Sequence, residues 1–303
     1  MNWKSEIKAA RDRIQGYAQV TPVMESGIPG YPIEMKLEHL QHTGSFKARG
    51  AFNTLLGSDV PKAGVVAASG GNHGAAAAYA ARALGYPAKI FVPELAGPSK
   101  IALIEQIGAD LSVVPGEYAN ALTMARTHEE DTGAMQIHAY DAPATVAGQG
   151  TCFAEWDAQG LQADTVLIAV GGGGLIAGAL AWFQGARKVV AVEPETSCAL
   201  NAALKANEPV DVSVSGIAAN ALGARRIGQI CFGLAQDVTS VLVPDAAISQ
   251  AQKALWQSHR LLVEPAGATA LAALMSGMYQ PEPDERVAVL ICGGNVAPDP
   301  FAT

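Results

Sequence analysis

Charged and aromatic residues are scarce in this sequence. Only 16% of its 303 residues are Asp, Glu, Lys or Arg, and 6% are Phe, Trp or Tyr. The net charge is -8 and Lys and Arg are nowhere clustered, so the concentrated basic face that binds nucleic acid is missing. Cysteine is sparse: Cys152, Cys198, Cys231 and Cys292 show no CxxC or CxxH spacing, so neither a zinc site nor a disulfide framework is indicated. No apolar run of about 18 residues escapes interruption by Gly or polar groups, so no membrane partner is expected. The stretch Met1–Ile7 lacks the apolar core of a secretory signal, and a cytoplasmic location is expected.

Half the residues are apolar and Gly and Ala are abundant, which suits helices packed closely on sheets. The chain is long enough for one large or two medium cores. After an amphipathic helix over residues 3–16, strands and helices alternate. The apolar or alternating runs 33–38, 64–68, 88–92, 111–114, 135–138, 165–170, 188–192, 238–243 and 286–291 read as strands. Helical patterns separate them, with less legible sequence over 199–235. Such alternation gives an α/β fold with doubly wound parallel sheets. About nine strands exceed what one compact sheet usually holds, so two domains are expected.

One lysine draws attention. In Thr43-Gly44-Ser45-Phe46-Lys47-Ala48-Arg49-Gly50, between a strand and a helix, Ser45 reads as an N-cap and Lys47 falls in the first helical turn. A cation there opposes the helix dipole, and burial would lower its pKa further. The neutral amine so favoured is the form that attacks carbonyls. A solvated surface lysine is the plain alternative.

Three glycine-rich turns follow apolar strands. Gly171-Gly172-Gly173-Gly174 opens a helix, where backbone N–H groups and the helix dipole can hold a phosphate. The same segment fits a rival: Gly172, Gly174 and Ala177 match G-x-G-x-x-A, and Glu193 ends the next strand, as in a nicotinamide-dependent oxidoreductase. Ser69-Gly70-Gly71-Asn72-His73-Gly74 adds a hydroxyl, an amide and an imidazole at a strand's carboxyl end, where ligands bind in open α/β sheets. Cys292-Gly293-Gly294-Asn295 closes the last strand. A phosphate site, an anion-binding loop and an activated lysine together point to pyridoxal phosphate.

These segments, with Ala147-Gly148-Gln149-Gly150-Thr151 and Glu264-Pro265-Ala266-Gly267, resemble the serine/threonine dehydratase and serine racemase family in order and spacing over nearly the whole chain. The resemblance implies pyridoxal phosphate as cofactor and a tryptophan-synthase-β-like fold (fold type II). Residues 60–142 would form a small domain inserted in a large one made of 1–59 and 143–303. It implies that Lys47 forms the Schiff base and acts as base at the substrate Cα. Phe46 would flank the ring, Asn72 would bond its phenolic oxygen, and Gly171, Gly172, Gly173 and Gly174 would hold the phosphate. Cys292 would face the pyridine nitrogen, while Ser69, Gly70 and His73 would belong to the loop that takes the substrate carboxylate.

The expected reaction is β-elimination from a β-hydroxy amino acid, L-threonine or L-serine first, in a homodimer. A serine or hydroxyaspartate racemase or dehydratase of the same family is the alternative. In metal-using members a glutamate and an aspartate bind a divalent ion; Glu193 matches the first but Ala199 stands at the second, so no metal is expected. Racemases place serine where Gly70 stands, so elimination is expected to outrun racemisation. The amino-acid-sensing domain that follows Asn295 in biosynthetic threonine dehydratases is expected to be absent.

Overall fold

The computed structural model of the protein describes residues 1–96, 98–116 and 118–296. Its helices are α1 (Trp3–Arg13), α2 (Lys47–Leu56), α3 (Asn72–Ala83), α4 (Pro98–Ile107), α5 (Tyr118–Thr132), α6 (Pro143–Ala158), α7 (Gly174–Phe183), α8 (Ala199–Ala206), α9 (Ala219–Leu222), α10 (Gln229–Leu234), α11 (Asp245–His259) and α12 (Pro265–Met275). The strands are β1 (Val23–Glu25), β2 (Glu34–Lys36), β3 (Val65–Ala68), β4 (Ala88–Pro93), β5 (Asp110–Val114), β6 (Met135–Gln136), β7 (Thr165–Ala169), β8 (Lys188–Pro194), β9 (Thr239–Val243) and β10 (Val287–Leu290).

These strands make two sheets. One has six strands in the order β1-β2-β10-β7-β8-β9, and the other has four in the order β5-β4-β3-β6. Covered on both faces by helices, β3, β7 and β10 are buried at every residue, which is why they read as unbroken apolar runs. All pairings are parallel except one: β1 runs antiparallel to β2. That edge strand was not expected; it is three residues long and follows Pro22, so its pattern is too short to register. The less legible stretch 199–235 holds three short helices, α8, α9 and α10, the last two flanking the turn around Gly223 and Gly228. We propose boundaries at 59/60 and 142/143, which assign β3–β6 to the smaller unit.

The long helix α6 packs against α1, α2 and α7. Pro143 occupies its first turn, where no N–H is needed. A Cβ at Gly148 would lie 2.6 Å from Gly50 Cα, so the glycines of the Gly148-Gln149-Gly150 stretch let α6 and α2 cross backbone to backbone.

Beneath that crossing lies a buried ion network. Arg49 of α2 donates to both carboxylate oxygens of Glu38, at 2.8 and 2.7 Å, and to Glu155 of α6 at 3.0 Å. Lys36 of β2 donates to Glu155 at 2.6 Å, to Gln159 Oε1 at 2.7 Å and to the Thr21 carbonyl at 2.7 Å. Burial alone would raise the Glu38 carboxyl, but Arg49, Thr21 and Lys36 hold it below its ordinary range. The network balances two positive and two negative charges. Removing one partner strands the others in a medium that cannot solvate them. Arg49→Met should therefore destabilise the protein by about 3–5 kcal/mol in urea unfolding; a loss below about 1 kcal/mol would show that water or neighbours replace the guanidinium.

Candidate active site

The carboxyl ends of β3, β7 and β10 and the N-termini of α2, α3, α7 and α12 converge on one cavity. It encloses about 440 Å³ and opens to solvent. Phe46, Lys47, Asn72, Gly171, Gly172, Gly173, Gly174 and Cys292 all line it. These are all eight of the residues singled out for the cofactor, drawn from four separate stretches of chain.

Lys47 is the first residue of α2. The residue before it, Phe46, occupies the N-cap position with αR geometry and makes no side-chain cap. Ser45, expected to cap, is extended and forms a β-bridge to Gly293. Phe46 N donates to the Cys292 carbonyl at 3.3 Å and Gly294 N to the Gly44 carbonyl at 2.9 Å. The turn before α2 is thus stitched to the end of β10, which places Lys47 and Cys292 in one cavity. Stitching also turns the Ser45 hydroxyl inward, where it has no hydrogen-bond partner among the described residues.

Lys47 Nζ donates to the Ala139 carbonyl at 2.7 Å and lies 5.2 Å from the centre of the Phe46 ring. Lys47 keeps some accessible surface and lines the cavity, yet burial lowers its pKa to about 8, with nearby Cys292 offsetting part of the effect. The cause is desolvation, where the sequence suggested the helix dipole as well. Cys292 is buried; desolvation and then Glu264 push its thiol above the ordinary range, so it is protonated, and Sγ donates to the Ala266 carbonyl at 3.4 Å.

The Asn72 loop is shorter than its sequence suggests, because α3 begins at Asn72 itself. Ser69 Oγ accepts from Gly71 N at 3.1 Å. His73 is buried and Nε2 donates to the Ile137 carbonyl at 2.8 Å. Desolvation, then the Lys47 charge, lowers its pKa to about 3, so the ring is neutral. Ser69, Gly70 and His73 therefore stand beside the cavity without lining it. The loop's means of holding an anion are the N–H groups at the start of α3.

Gly173 is the N-cap of α7 with φ +94°, a left-handed conformation open to glycine. Cys231 packs beneath it, and Tyr140 lies against Gly172 and Gly174. Sequence did not single out the Ala221–Leu222 wall or Glu264, which line the cavity, nor the Ala139 carbonyl and Tyr140, which contact Lys47 and the glycine turn from behind it. Glu264 sat inside a quoted motif without a role; the others carry no signature.

Glu193, singled out by spacing, lies buried at the start of α8. Its Oε1 accepts from Leu200 N and its Oε2 from Asn201 N, both at 2.8 Å, so it caps α8 from outside. Burial raises its pKa to about 7 against the pull of those two bonds. Each oxygen meets a backbone N–H of α8, and Glu193 does not line the cavity with the glycine turn. Among the described residues no three His, Cys, Asp or Glu side chains gather as metal ligands.

A lowered lysine pKa is also a statement about stability. Below pH 8 the amine is protonated in both the folded and unfolded chains, and folding bears the full cost of burying the charge. Between pH 8 and about 10.4 the unfolded chain alone keeps the proton, so stability rises with pH as that cost disappears. In the cofactor-free protein, Lys47→Met should add on the order of 2 kcal/mol at pH 7. The gain should shrink as pH climbs through 8 to 10, followed by urea unfolding across that range; a pH-independent difference would count against a desolvated amine.

Comparison with known proteins agrees with this geometry. Residues 14–293 match the family model for pyridoxal-phosphate dependent enzymes. Phenylserine dehydratase of Ralstonia pickettii is 35% identical, over 98% of this chain and 94% of its own. L-threonine ammonia-lyase of Geobacter sulfurreducens is 32% identical, over 96% of this chain and 75% of its own. Among solved structures, maize serine racemase superposes with a TM-score of 0.91 at 30% identity, covering 97% of this chain and 93% of that one. The two parallel-sheet units are those of fold type II enzymes, and the dinucleotide-like spacing around Gly172 belongs to the same glycine turn. The chain belongs to the family of pyridoxal-phosphate dependent enzymes.

Proposed function

We propose that the protein eliminates water from an uncharged β-hydroxy amino acid, L-threonine or L-serine first, releasing a 2-oxo acid and ammonia. The observation that carries this reading is an amine with a pKa of about 8 in the same cavity as Asn72, four consecutive glycines and a neutral thiol. As part of the same proposal the protein works as a cytoplasmic homodimer; no described helix is long and apolar enough to cross a membrane.

The residues present fit pyridoxal phosphate. The cavity has an amine on one wall and N–H groups at the N-terminus of α7 on another, with the unpartnered Ser45 hydroxyl buried beside Lys47. When bound, the cofactor supplies an aldehyde that condenses with amines and a conjugated ring that delocalises charge from a substrate carbon. Lys47 would hold it covalently, Gly171 to Gly174 would donate N–H groups to its phosphate, and Phe46 would flank its ring. Asn72 would donate to its phenolic oxygen and Cys292 would offer a neutral S–H near its ring nitrogen.

The chain's own residues then divide the work on the substrate. N–H groups at the start of α3 orient its carboxylate. Among the described residues the one hydrogen-bond partner of Lys47 Nζ is a carbonyl, and its pKa lies near the working pH, so the free amine could take the proton from Cα. Glu264 on the cavity wall, with Lys47 the only cation lining it among the described residues, disfavours a second carboxylate on the substrate.

Two outcomes follow. In an assay of 2-oxo acid release, L-threonine, L-serine and 3-phenylserine should be turned over with kcat/KM above that for 3-hydroxyaspartate, and Lys47→Ala should lose essentially all turnover, because one residue is both anchor and base. Substantial activity of Lys47→Ala, or a clear preference for hydroxyaspartate, would refute the assignment.

Racemisation would need a second proton donor on the opposite face of Cα. Gly70 has no side chain, and the Ser69 hydroxyl is engaged with Gly71 N. Without a positioned acid that face forgoes a factor of about 10²–10⁴. Chiral analysis of L-serine incubated in D₂O should find D-serine only in traces beside pyruvate; comparable rates would sink the idea. Nor should Gly70→Ser create a racemase, since a Cβ there runs into Ala96 and lies 2.9 Å from Val92 Cγ1.

A further inference from the structure

Asn72 is held at both ends of its amide. Asn295 Nδ2 donates to the Thr43 carbonyl at 2.7 Å and to Asn72 Oδ1 at 2.9 Å. Asn72 Nδ2 donates to Glu264 Oε1 at 2.5 Å. Glu264 Oε1 is the acceptor in one contact and Asn295 Nδ2 the donor in the other, so together they permit a single orientation of the Asn72 amide. That orientation leaves one N–H of Nδ2 for the cavity that both Asn72 and Glu264 line.

Glu264 is placed for this contact and not for capping. It is the N-cap residue of α12 and makes no side-chain cap bond; its carboxylate, 2% exposed, crosses instead to α3. The space it uses is vacated by Gly293, where a Cβ would collide with Glu264 Oε1 and sit 3.3 Å from Asn72 Nδ2. Three segments far apart in sequence are therefore shaped around one amide.

We infer that Glu264 is the positioning residue for Asn72, fixing its amide so that an N–H meets an anionic oxygen on the ring of the bound cofactor. The inference rests on the reading that Asn72 faces that oxygen. Glu264 acts through Asn72, so its contribution vanishes when Asn72 is gone.

A double-mutant cycle on cofactor affinity tests this without recourse to turnover. Cofactor-free protein is titrated with pyridoxal phosphate and the dissociation constant is read from the visible absorbance of the bound form. Asn72→Ala should weaken binding about tenfold or more, as for a hydrogen bond to a charged group. Glu264→Ala should weaken it by a similar factor, and the double variant should be no weaker than Asn72→Ala within about twofold. Glu264→Gln, whose carboxamide oxygen can still accept from Asn72, should recover most of the loss. If Glu264→Ala does not fold, Glu264→Met fills the space without an acceptor and takes its place in the cycle. Losses that multiply in the double variant, or Glu264→Ala binding as tightly as wild type, would overturn the inference while leaving the role of Asn72 intact. Asn72→Ala binding as tightly as wild type would remove the reading of Asn72 and this inference with it.

Discussion

Two cations stand two residues apart at the start of α2, and the site depends on their unequal treatment. Arg49 is buried against Glu38 and Glu155; burial works against its charge, but Glu38 more than compensates and raises its pKa. Lys47 is given a backbone carbonyl and no carboxylate, so burial prevails and its pKa falls. Desolvation acts on both side chains; only the partners differ. A carboxylate within reach of Lys47 would restore an ordinary ammonium and remove its nucleophilic form at neutral pH. The ion network thus does more than hold α2 against α6. It fixes the helix whose first residue stays underpaired, and its carboxylates are spent on Arg49 and Lys36 and not on Lys47.

The second dependence is topological. Parallel strands deliver their carboxyl ends to one edge of each sheet, and the helices that follow present their N-termini there. The glycine turn after β7, the Ser69 loop after β3 and the Cys292 stretch after β10 are three instances of that rule in two sheets. They face each other because the Ser45–Gly293 bridge and the Asn72 contacts to Glu264 and Asn295 tie the pieces across the sheets.

Much of this was legible in the sequence because it rests on local pattern. Buried parallel strands such as Val65–Ala68 are continuous apolar runs, and glycine turns at strand ends are short and contiguous. What escaped depends on distant partners or on backbone atoms. The Ala139 carbonyl that receives Lys47 has no side-chain signature. Ser45 looks like an N-cap, yet its backbone is claimed by Gly293 from the far end of the chain. His73 looks like a ligand group, but its ring turns to the Ile137 carbonyl, a choice set by β6 packing beside β3. Glu193 matched the acidic position of a dinucleotide fingerprint by spacing alone, and only the placement of α8 reveals where its oxygens go. The Glu264–Asn72 contact spans 192 residues, which no pattern within one element can register.

These details share an electrostatic theme. The cavity is lined by one cation, Lys47, among the described residues, with Cys292 and the adjacent His73 both neutral. A phosphorylated cofactor brings negative charge to it, and no arginine or second lysine is there to meet that charge. On the proposed reading, binding would rely on backbone N–H dipoles at the start of α7, each worth little alone, and on a covalent bond to Lys47. On that reading Lys47 has an anchoring duty beside its catalytic one. A neutral amine, which a pKa of about 8 makes accessible, is the form that would condense with the cofactor's aldehyde. A cavity crowded with cations would secure the phosphate by charge alone but would also depress the lysine's pKa further and draw in anions of every kind. Sparse charge, with one weakly paired amine and one carboxylate turned to an amide, suits the proposed division in which a single residue would hold the cofactor and then take up the proton.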